Sequence, residues 1–181
     1  IAGTNKAGTT SFFEYLASHP DICPAYLKQT FFFLDREWQH HWGMKSVYNY
    51  EKGLHQFDRF FKKCSAHQHK LEATPDYLYA PDCPKRLRIF FKDQKGRNMF
   101  ILRHPVKRFI SLYYFGKQQG LIPAEMDFTT FRKQSERYKE LDNMSLLAYN
   151  TGFYSRFIER YYHYFPKDQI LIYFFENLVH D

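Results

Sequence analysis

The chain opens with IAGTNKAGTTSFFEYLASHP (residues 1–20), and this stretch decides the fold. Its first three residues read as the end of a buried strand. Apolar residues three or four positions apart predict a helix over Thr9–Ser18, and His19-Pro20 ends it because proline disfavours a helical conformation in the residue before it. Gly3 and Gly8 interrupt the junction, so the sequence predicts a strand, a glycine-containing loop and a helix in succession.

The loop has two glycines separated by four residues, which is the frame of a phosphate-binding loop. In such loops the backbone N–H groups and the helix N-terminus surround an anion. Thr9 stands where a nucleoside-triphosphate site requires lysine, and the lysine of this loop is Lys6. Because no magnesium-binding strand is evident downstream either, the sequence argues against an ATPase or kinase and favours a ligand with a shorter phosphate group. The alternative is a glycine-rich turn in which threonine caps the helix.

Strands and helices alternate along the rest of the chain. The predicted strands are continuous apolar runs, which are typical of a parallel sheet covered on both faces. We therefore predict an α/β fold with three layers, a central parallel sheet with helices on both faces, and a P-loop-like phosphate-binding loop. The predicted strands are Ile22–Ala25, Lys70–Ala73, Asn98–Leu102 and Ile170–Phe175, and the predicted helices are Ala80–Lys92, Pro105–Lys117, Phe128–Tyr138 and Ser145–Phe165.

Composition restricts the class of protein. The 181 residues carry 26 Lys and Arg against 19 Asp and Glu, a formal net charge of +7. This surplus suits nucleic acid, an acidic polymer, an anionic membrane or a phosphorylated small molecule, although a charged surface also serves solubility alone. An aromatic content of 20% argues against a disordered segment, and no apolar run approaches the roughly 18 residues that cross a bilayer.

Cysteine usage and the chain ends bear on compartment and domain organisation. Cys23, Cys64 and Cys83 form no CxxC pair and are odd in number, which argues against a disulfide scaffold or a cysteine-rich zinc site. A reducing compartment is favoured, hence the cytoplasm, with the Golgi lumen left open if a membrane anchor precedes this segment. Residues 1–181 are expected to form a single core domain that is truncated at both ends.

A second candidate anion site follows the strand Asn98–Leu102. The strand delivers Arg103 to its carboxyl end, a helix begins at Pro105, and Ser111 lies about two turns into that helix. Arginine offers a forked donor to a phosphate, and serine adds a hydroxyl. A solvent-facing arginine and serine are the alternative for this segment taken alone. Together the two sites indicate a ligand with phosphates at both ends of a nucleoside.

Several motifs occur in a fixed order along the chain. They are Lys6–Ser11, Lys28–Phe33, Glu72–Tyr77, Arg103–Pro105 with Arg108, Ser111 and Tyr113, and finally Gly152-x-Tyr154 with Phe165–Leu178. In these motifs the chain resembles the sulfotransferases that use 3′-phosphoadenosine 5′-phosphosulfate (PAPS). The resemblance covers essentially the whole chain and is closer to the heparan-sulfate and bacterial branch than to the cytosolic phenol and steroid branch.

The resemblance implies a reaction and a set of roles. A sulfuryl group would pass from PAPS to a hydroxyl or amine of an acceptor, leaving adenosine 3′,5′-bisphosphate (PAP), with no metal required. Lys6 would stabilise the leaving phosphate as a catalytic residue, and Arg103 and Ser111 would hold the 3′-phosphate. The 5′-phosphate would be held by the loop and first helical turn, namely Lys6, Ala7, Gly8, Thr9, Thr10 and Ser11. The expected partners are the nucleotide donor and a glycan, lipid or small-molecule acceptor, without nucleic acid.

Two positions depart from the family pattern, and both bear on the acceptor's proton. Gln29 occupies the position of the family's basic glutamate and cannot accept a proton, and Ala73 replaces a lysine. Glu72 or a histidine such as His104 or those of the pair His40-His41 would then supply the base, although Glu72 is equally consistent with a structural carboxylate. Two alternatives stay open: a non-catalytic anion- or nucleic-acid-binding module, and a degenerate sulfotransferase that binds PAP but lacks an efficient base. Residues 38–50 are expected to select the acceptor.

Overall fold

Short parallel strands alternate with helices, as the apolar runs of the sequence predict. The computed structural model describes residues 1–35, 50–92, 96–140, 143 and 145–179. The strands are β1 (Ile22–Pro24), β2 (His69–Leu71), β3 (Asn98–Leu102) and β4 (Ile170–Phe174). The α-helices are α1 (Thr9–Ala17), α2 (Cys83–Phe91), α3 (Pro105–Gln118), α4 (Phe128–Arg137), α5 (Tyr154–Tyr162) and α6 (Phe175–Leu178). The 3₁₀ segments between them are Tyr50–Lys52, Leu54–Phe61, Pro75–Leu78, Leu146–Ala148, Asn150–Gly152 and Lys167–Gln169.

The N-terminal segment, residues 1–4, lies between β3 on one side and the residues that follow β2 on the other. β1 pairs with β2, and β3 pairs with β4. Gly3 forms a parallel bridge with Phe100 of β3, while on the other side the Leu78 N–H donates to the Ala2 carbonyl at 2.7 Å. The carboxyl end of this central segment therefore lies beside the carboxyl end of β3. The phosphate loop and Arg103 follow these two ends, which is where ligands bind in α/β folds.

An aromatic core holds the layers together. Phe32, Phe33 and Phe57 are buried, and their rings lie 4.9–5.1 Å apart, at distances that favour tilted and edge-on contacts. Tyr161 of α5 is also fully buried and packs edge-on against Phe100 of β3. These aromatic side chains thus belong to the core of the domain.

The predicted helix Ser145–Phe165 is wrong in its first half. Two short 3₁₀ turns precede α5, which begins only at Tyr154. The Thr151 hydroxyl donates to the Leu147 carbonyl at 2.9 Å, and Phe153 has a non-helical ψ of 67°. A side chain that bonds the local backbone and a glycine at position 152 thus interrupt the apolar periodicity.

The argument against disulfides also requires correction. Cys23 of β1 and Cys64 form a disulfide with a Cα–Cα distance of 5.6 Å, and Cys83 is left as a buried free thiol. The two cysteines are 41 residues apart, so no local sequence pattern predicts that they pair. The preference for a reducing compartment therefore loses its basis, because stable disulfides are typical of oxidising ones. Within the described residues, no helix is both long enough and apolar enough to cross a membrane.

Candidate functional site

The loop between residues 3 and 9 has the backbone of an anion-binding nest. Lys6 and Gly8 have positive φ angles of 62° and 77°, and α1 begins directly after Gly8. A Cβ at position 8 would lie 2.8 Å from the Phe175 ring, so this close approach requires glycine. In the part of the chain that the structure describes, the backbone N–H groups of residues 6–11 donate no hydrogen bond to the protein. They remain available to an anion at the helix N-terminus.

Two arginines fix the direction of the loop's peptide groups. Arg108 Nε donates to the Asn5 carbonyl, and Arg103 Nη1 donates to the Lys6 carbonyl, both at 3.1 Å. In a trans peptide unit the N–H points opposite to the C=O. The N–H groups of Lys6 and Ala7 are therefore turned away from the two guanidinium groups. This is the orientation that a backbone cradle for phosphate requires.

The first turn of α1 contains the three predicted hydroxyl ligands. Thr9 is buried, whereas Thr10 and Ser11 are exposed. None of the three side chains forms a hydrogen bond with another described residue, and α1 has no side-chain cap at its N-terminus. The hydroxyls of Thr10 and Ser11 are thus accessible at the same helix end as the free N–H groups.

Lys6 lies against an aromatic ring of α3, the helix that also carries Ser111. Its Nζ is 4.4 Å from the centre of the Phe115 ring of α3. Burial, and then the positive charge of Arg103, lower the pKa of Lys6 below its usual value. A half-buried cation next to another cation is a favourable place for an anion, because the anion relieves their mutual repulsion.

Arg103 and Ser111 stand on either side of the start of α3. Arg103 is half-buried, its guanidinium lies 4.9 Å from the Phe175 ring, and its Nε is buried without a partner among the described residues. The Tyr154 hydroxyl donates to the Arg103 carbonyl at 2.8 Å and so fixes the backbone there. Ser111 is half-buried and lies one turn before Phe115, on the side of α3 that faces Lys6. No hydrogen bond joins Ser111 to Arg103 in the described residues.

Arg108 is a site residue that the sequence analysis included only in a motif. It is fully buried, and its Nη2 donates to Asn5 Oδ1 at 2.8 Å and to the Thr151 hydroxyl at 3.1 Å. On the other side, Asn5 Nδ2 donates to Asp76 Oδ1 at 3.4 Å. Asp76 is 2% exposed, which is unusual for an aspartate. The sequence includes it only in the Glu72–Tyr77 motif, and its burial is seen only in the structure.

Glu72 is held by Thr30, in the segment that follows β1, and by Thr74. Its Oε1 accepts hydrogen bonds from the Thr30 N–H at 3.2 Å, from the Thr30 hydroxyl at 2.9 Å and from the Thr74 hydroxyl at 2.5 Å. Burial raises the pKa of Glu72, and these hydrogen bonds oppose the rise. No hydrogen bond is formed by Oε2 with any described residue. One carboxylate oxygen is therefore fixed, and the other is free to accept a proton.

Gln29 directly precedes Thr30, one of the residues that bind the Glu72 carboxylate. It is half-buried, and it is flanked by Thr30, which binds Glu72, and by Lys28, whose carbonyl accepts from the Ala73 N–H at 3.3 Å. Burial lowers the pKa of Lys28, and the carboxylates of Glu72 and Asp76 oppose this effect. Gln29, Glu72 and Lys28 thus lie in one region, and the loop between residues 3 and 9 lies in another. Asp76 is linked to both, through Asn5 and through its charge on Lys28.

The histidines that the structure describes belong to no group placed to hold a metal ion. His104 is exposed at the start of α3, where its backbone N–H donates to Glu176 Oε1 at 3.0 Å. Among the described residues, no group of three or more His, Cys, Asp or Glu side chains is placed to hold a metal ion. His40 and His41, and most of the segment 38–50 expected to select the acceptor, lie outside the described residues.

The sequence profile of the sulfotransferase domain matches residues 1–181. The chain belongs to the sulfotransferase family. Among curated relatives, this sulfotransferase domain is 29% identical over 181 residues to heparan sulfate glucosamine 3-O-sulfotransferase 3B1 of Mus musculus, covering all of this chain and 42% of the relative. It is 31% identical over 158 residues to the membrane-associated sulfotransferase kil1 of Dictyostelium discoideum, covering 77% of this chain and 30% of the relative.

The fold is shared with a solved bacterial structure. The crystal structure of a sulfotransferase from Alicyclobacillus acidocaldarius superposes with a TM-score of 0.79 at 24% identity, covering all of this chain and 74% of that one. The predicted family and the predicted α/β class are thereby confirmed. The chain spans less than half the length of the curated relatives named above.

Proposed function

We propose that this sulfotransferase domain transfers a sulfuryl group from PAPS to a hydroxyl of a glycan acceptor. The observation that carries the proposal is the pair of adjacent cations: Arg103 donates to the Lys6 carbonyl, and the loop that contains Lys6 has a row of backbone N–H groups without a partner among the described residues. A ligand with a 5′-phosphosulfate and a 3′-phosphate matches this pair in charge and in number of phosphate groups. ATP-type donors lack the 3′-phosphate that Arg103 and Ser111 would bind.

On this proposal the donor loop acts on the leaving group. PAPS supplies an S–O bond that breaks as the acceptor oxygen bonds to sulfur, and its electron pair goes to the 5′-phosphate oxygen. Lys6 and the N–H groups of residues 6–11 stabilise the charge that develops there, which favours the transition state over the ground state. The backbone is already oriented by Arg103 and Arg108, so little reorganisation is needed during the reaction.

The acceptor's proton goes to Glu72 in this proposal. Gln29 cannot accept it, and Glu72 combines a pKa raised by burial with a free Oε2. Its other oxygen is held by Thr30 and Thr74, which would keep the carboxylate directed at the acceptor. Lys28 lies close enough to affect the carboxylate electrostatically and would bind an acidic group of the acceptor.

A glycan acceptor is supported by the relatives, whose names assign them to the glucosamine of heparan sulfate. The surplus of +7 suits an acidic polysaccharide. The sequence departs from the family at Gln29, so a degenerate protein that binds PAP without efficient transfer is the second candidate. Both candidates require the same nucleotide site, and only turnover separates them. For the domain organisation, we propose that residues 1–181 form one core domain of a longer chain.

Calorimetry with PAP tests the nucleotide site. We expect binding by the whole protein that is weakened at least tenfold in Arg103→Ala, since a bidentate arginine–phosphate contact contributes roughly 1.5–3 kcal/mol. The matched control is Arg88→Ala, an exposed arginine of α2, which should leave affinity unchanged. Radiolabelled transfer from PAPS to heparan sulfate then tests the acceptor. Absence of PAP binding would refute the proposal, and PAP binding without transfer to any glycan would leave the degenerate protein.

A further inference from the structure

A buried carboxylate lies directly behind the donor loop. Asp76 belongs to the 3₁₀ turn Pro75–Leu78, is 2% exposed, and contacts the loop through the Asn5 side chain. Asn5 is in turn held by Arg108 at both its carbonyl and its side-chain oxygen. Asp76 is therefore connected to the peptide group that orients the N–H of Lys6, although it does not itself line the loop.

The charges around Asp76 come from three elements. Arg108 of α3 and Lys28, in the segment that follows β1, are close enough for their positive charges to affect Asp76. The Tyr79 hydroxyl group, directly after the 3₁₀ turn, is affected in turn by the charge of Asp76. Burial raises the pKa of Asp76 to about 7, and the positive charge of Arg108 is the largest opposing effect. Asp76 interacts electrostatically with Arg108 and contacts the loop through Asn5, while Glu176 interacts electrostatically with Arg103.

We propose that Asp76 is a positioning residue whose charge weakens anion binding at the donor loop and whose protonation strengthens it. The inference rests on the proposed function, because the anion is taken to be the 5′-phosphate of the donor or product. It adds a role for a residue that contacts neither substrate nor reacting atoms.

The physical reason is competition for Arg108. This guanidinium is fully buried and has one nitrogen, Nη1, without a partner among the described residues. A buried charge needs a counter-charge, and ionised Asp76 supplies it across Asn5. A phosphate bound at the loop would supply a second negative charge to the same cations. Two negative charges around one cation repel, so binding of the phosphate raises the pKa of Asp76 and protonated Asp76 favours binding.

The decisive experiment compares the pH dependence of PAP affinity in the wild type and in Asp76→Asn. Calorimetry from pH about 6 to about 9 should give equal affinities at the acidic end. At the alkaline end, Asp76→Asn should bind about tenfold more tightly than the wild type, the factor that corresponds to one unit of pKa shift on binding. The phosphates of PAP titrate near pH 6 and Lys6 titrates at higher pH, but they are present in both proteins and cancel in the ratio. Lys28 does not cancel, because the Asp76 charge raises its pKa, so the comparison is repeated with Lys28→Met in both proteins.

Controls separate this inference from the proposed function. Asp58→Asn removes an exposed carboxylate that pairs with Lys70 at 2.8 Å and should keep the wild-type profile. If the wild type binds PAP but the ratio of affinities does not change with pH, the role of Asp76 is refuted and the nucleotide site stands. If the wild type binds no PAP at any pH, the proposed function itself fails.

A second measurement uses only the wild-type protein, so it does not depend on whether a variant folds. With ¹³C-labelled aspartate carboxyls in the wild-type protein, NMR follows the titration of Asp76 with and without PAP. We expect its midpoint to rise by about one pH unit when PAP is bound, for the same reason of like-charge repulsion. A midpoint that is unchanged by PAP would overturn the inference.

Discussion

Replacement of Lys6 by methionine should separate binding of the donor from transfer of the sulfuryl group. Lys6 is the cation within the loop, and its Nζ rests 4.4 Å above the Phe115 ring rather than against a carboxylate. Methionine keeps a long apolar side chain that can occupy the same place on the ring. The charge is lost and most of the packing remains.

The magnitude follows from the position of the charge. Two unit charges about 4 Å apart interact by roughly 4 kcal/mol at an effective dielectric of 20. Lys6 is half-buried, so solvent screening reduces this to about 2–3 kcal/mol. Because each 1.36 kcal/mol is a tenfold change in rate, we expect kcat to fall by about 10²-fold. The KM for PAPS should rise only severalfold, since the charge on the leaving oxygen is still small in the ground state.

The assay is the initial rate of radiolabelled sulfate transfer from PAPS to heparan sulfate. Lys85→Met, at an exposed position of α2, controls for the loss of one positive charge from the surface. Lys6→Arg should recover part of the rate because it restores the charge. The reasoning is refuted if Lys6→Met keeps kcat within about threefold of the wild type while its unfolding midpoint is unchanged.

Three further predictions concern the base and the disulfide. With Glu72 as the base, Gln29→Glu should leave turnover unchanged across a panel of glycans; a rise of about 10²-fold or more would show instead that the chain lacks an efficient base, as in the degenerate protein. The rate of the wild type should fall as the pH falls through the raised pKa of Glu72, because the base is then protonated, and Glu72→Gln should lose both the rate and this acidic limb; an intact limb in the variant would exclude Glu72. Cys23→Ser should lower the free energy of unfolding in urea by about 4 kcal/mol, from the loop entropy of 41 residues, and a loss below about 1 kcal/mol would contradict that account.

The sequence predicts the elements that local signals define. The apolar run Asn98–Leu102 matches β3 in both bounds, and Pro105 begins α3 as expected from a proline in the first helical turn. The helical periodicity after Ser145 is misleading because Thr151 bonds the backbone four residues earlier. The Cys23–Cys64 pair was missed for a different reason, since it depends on a long-range contact that periodicity does not encode.

The site residues that belong to a local sequence motif can be predicted from the sequence. Lys6 and Arg103 follow from glycine spacing and from the end of a strand, and the structure brings them into contact through a carbonyl. The contact between Asn5 and Arg108 spans 103 residues, and that between Asn5 and Asp76 spans 71, so neither follows from local pattern. Asp76 lies in the Glu72–Tyr77 motif, but the burial of residues 73–80 that makes this aspartate unusual is known only from the structure.

On the proposed function, the arrangement of charges would make the two phosphate sites act as one. If Arg103 bound only the 3′-phosphate, its loss would affect affinity alone. Its hydrogen bond to the Lys6 carbonyl also orients the Ala7 N–H, so binding of the 3′-phosphate at Arg103 would be linked to the geometry of the loop proposed for the 5′-phosphate. Arg108 orients the preceding peptide in the same way, and the charge of Asp76 lies close to its buried guanidinium. The loop is therefore held by Arg103, which follows β3, and by Arg108 of α3, and we expect a donor that lacks the 3′-phosphate to lose orientation at the reacting end as well as binding energy.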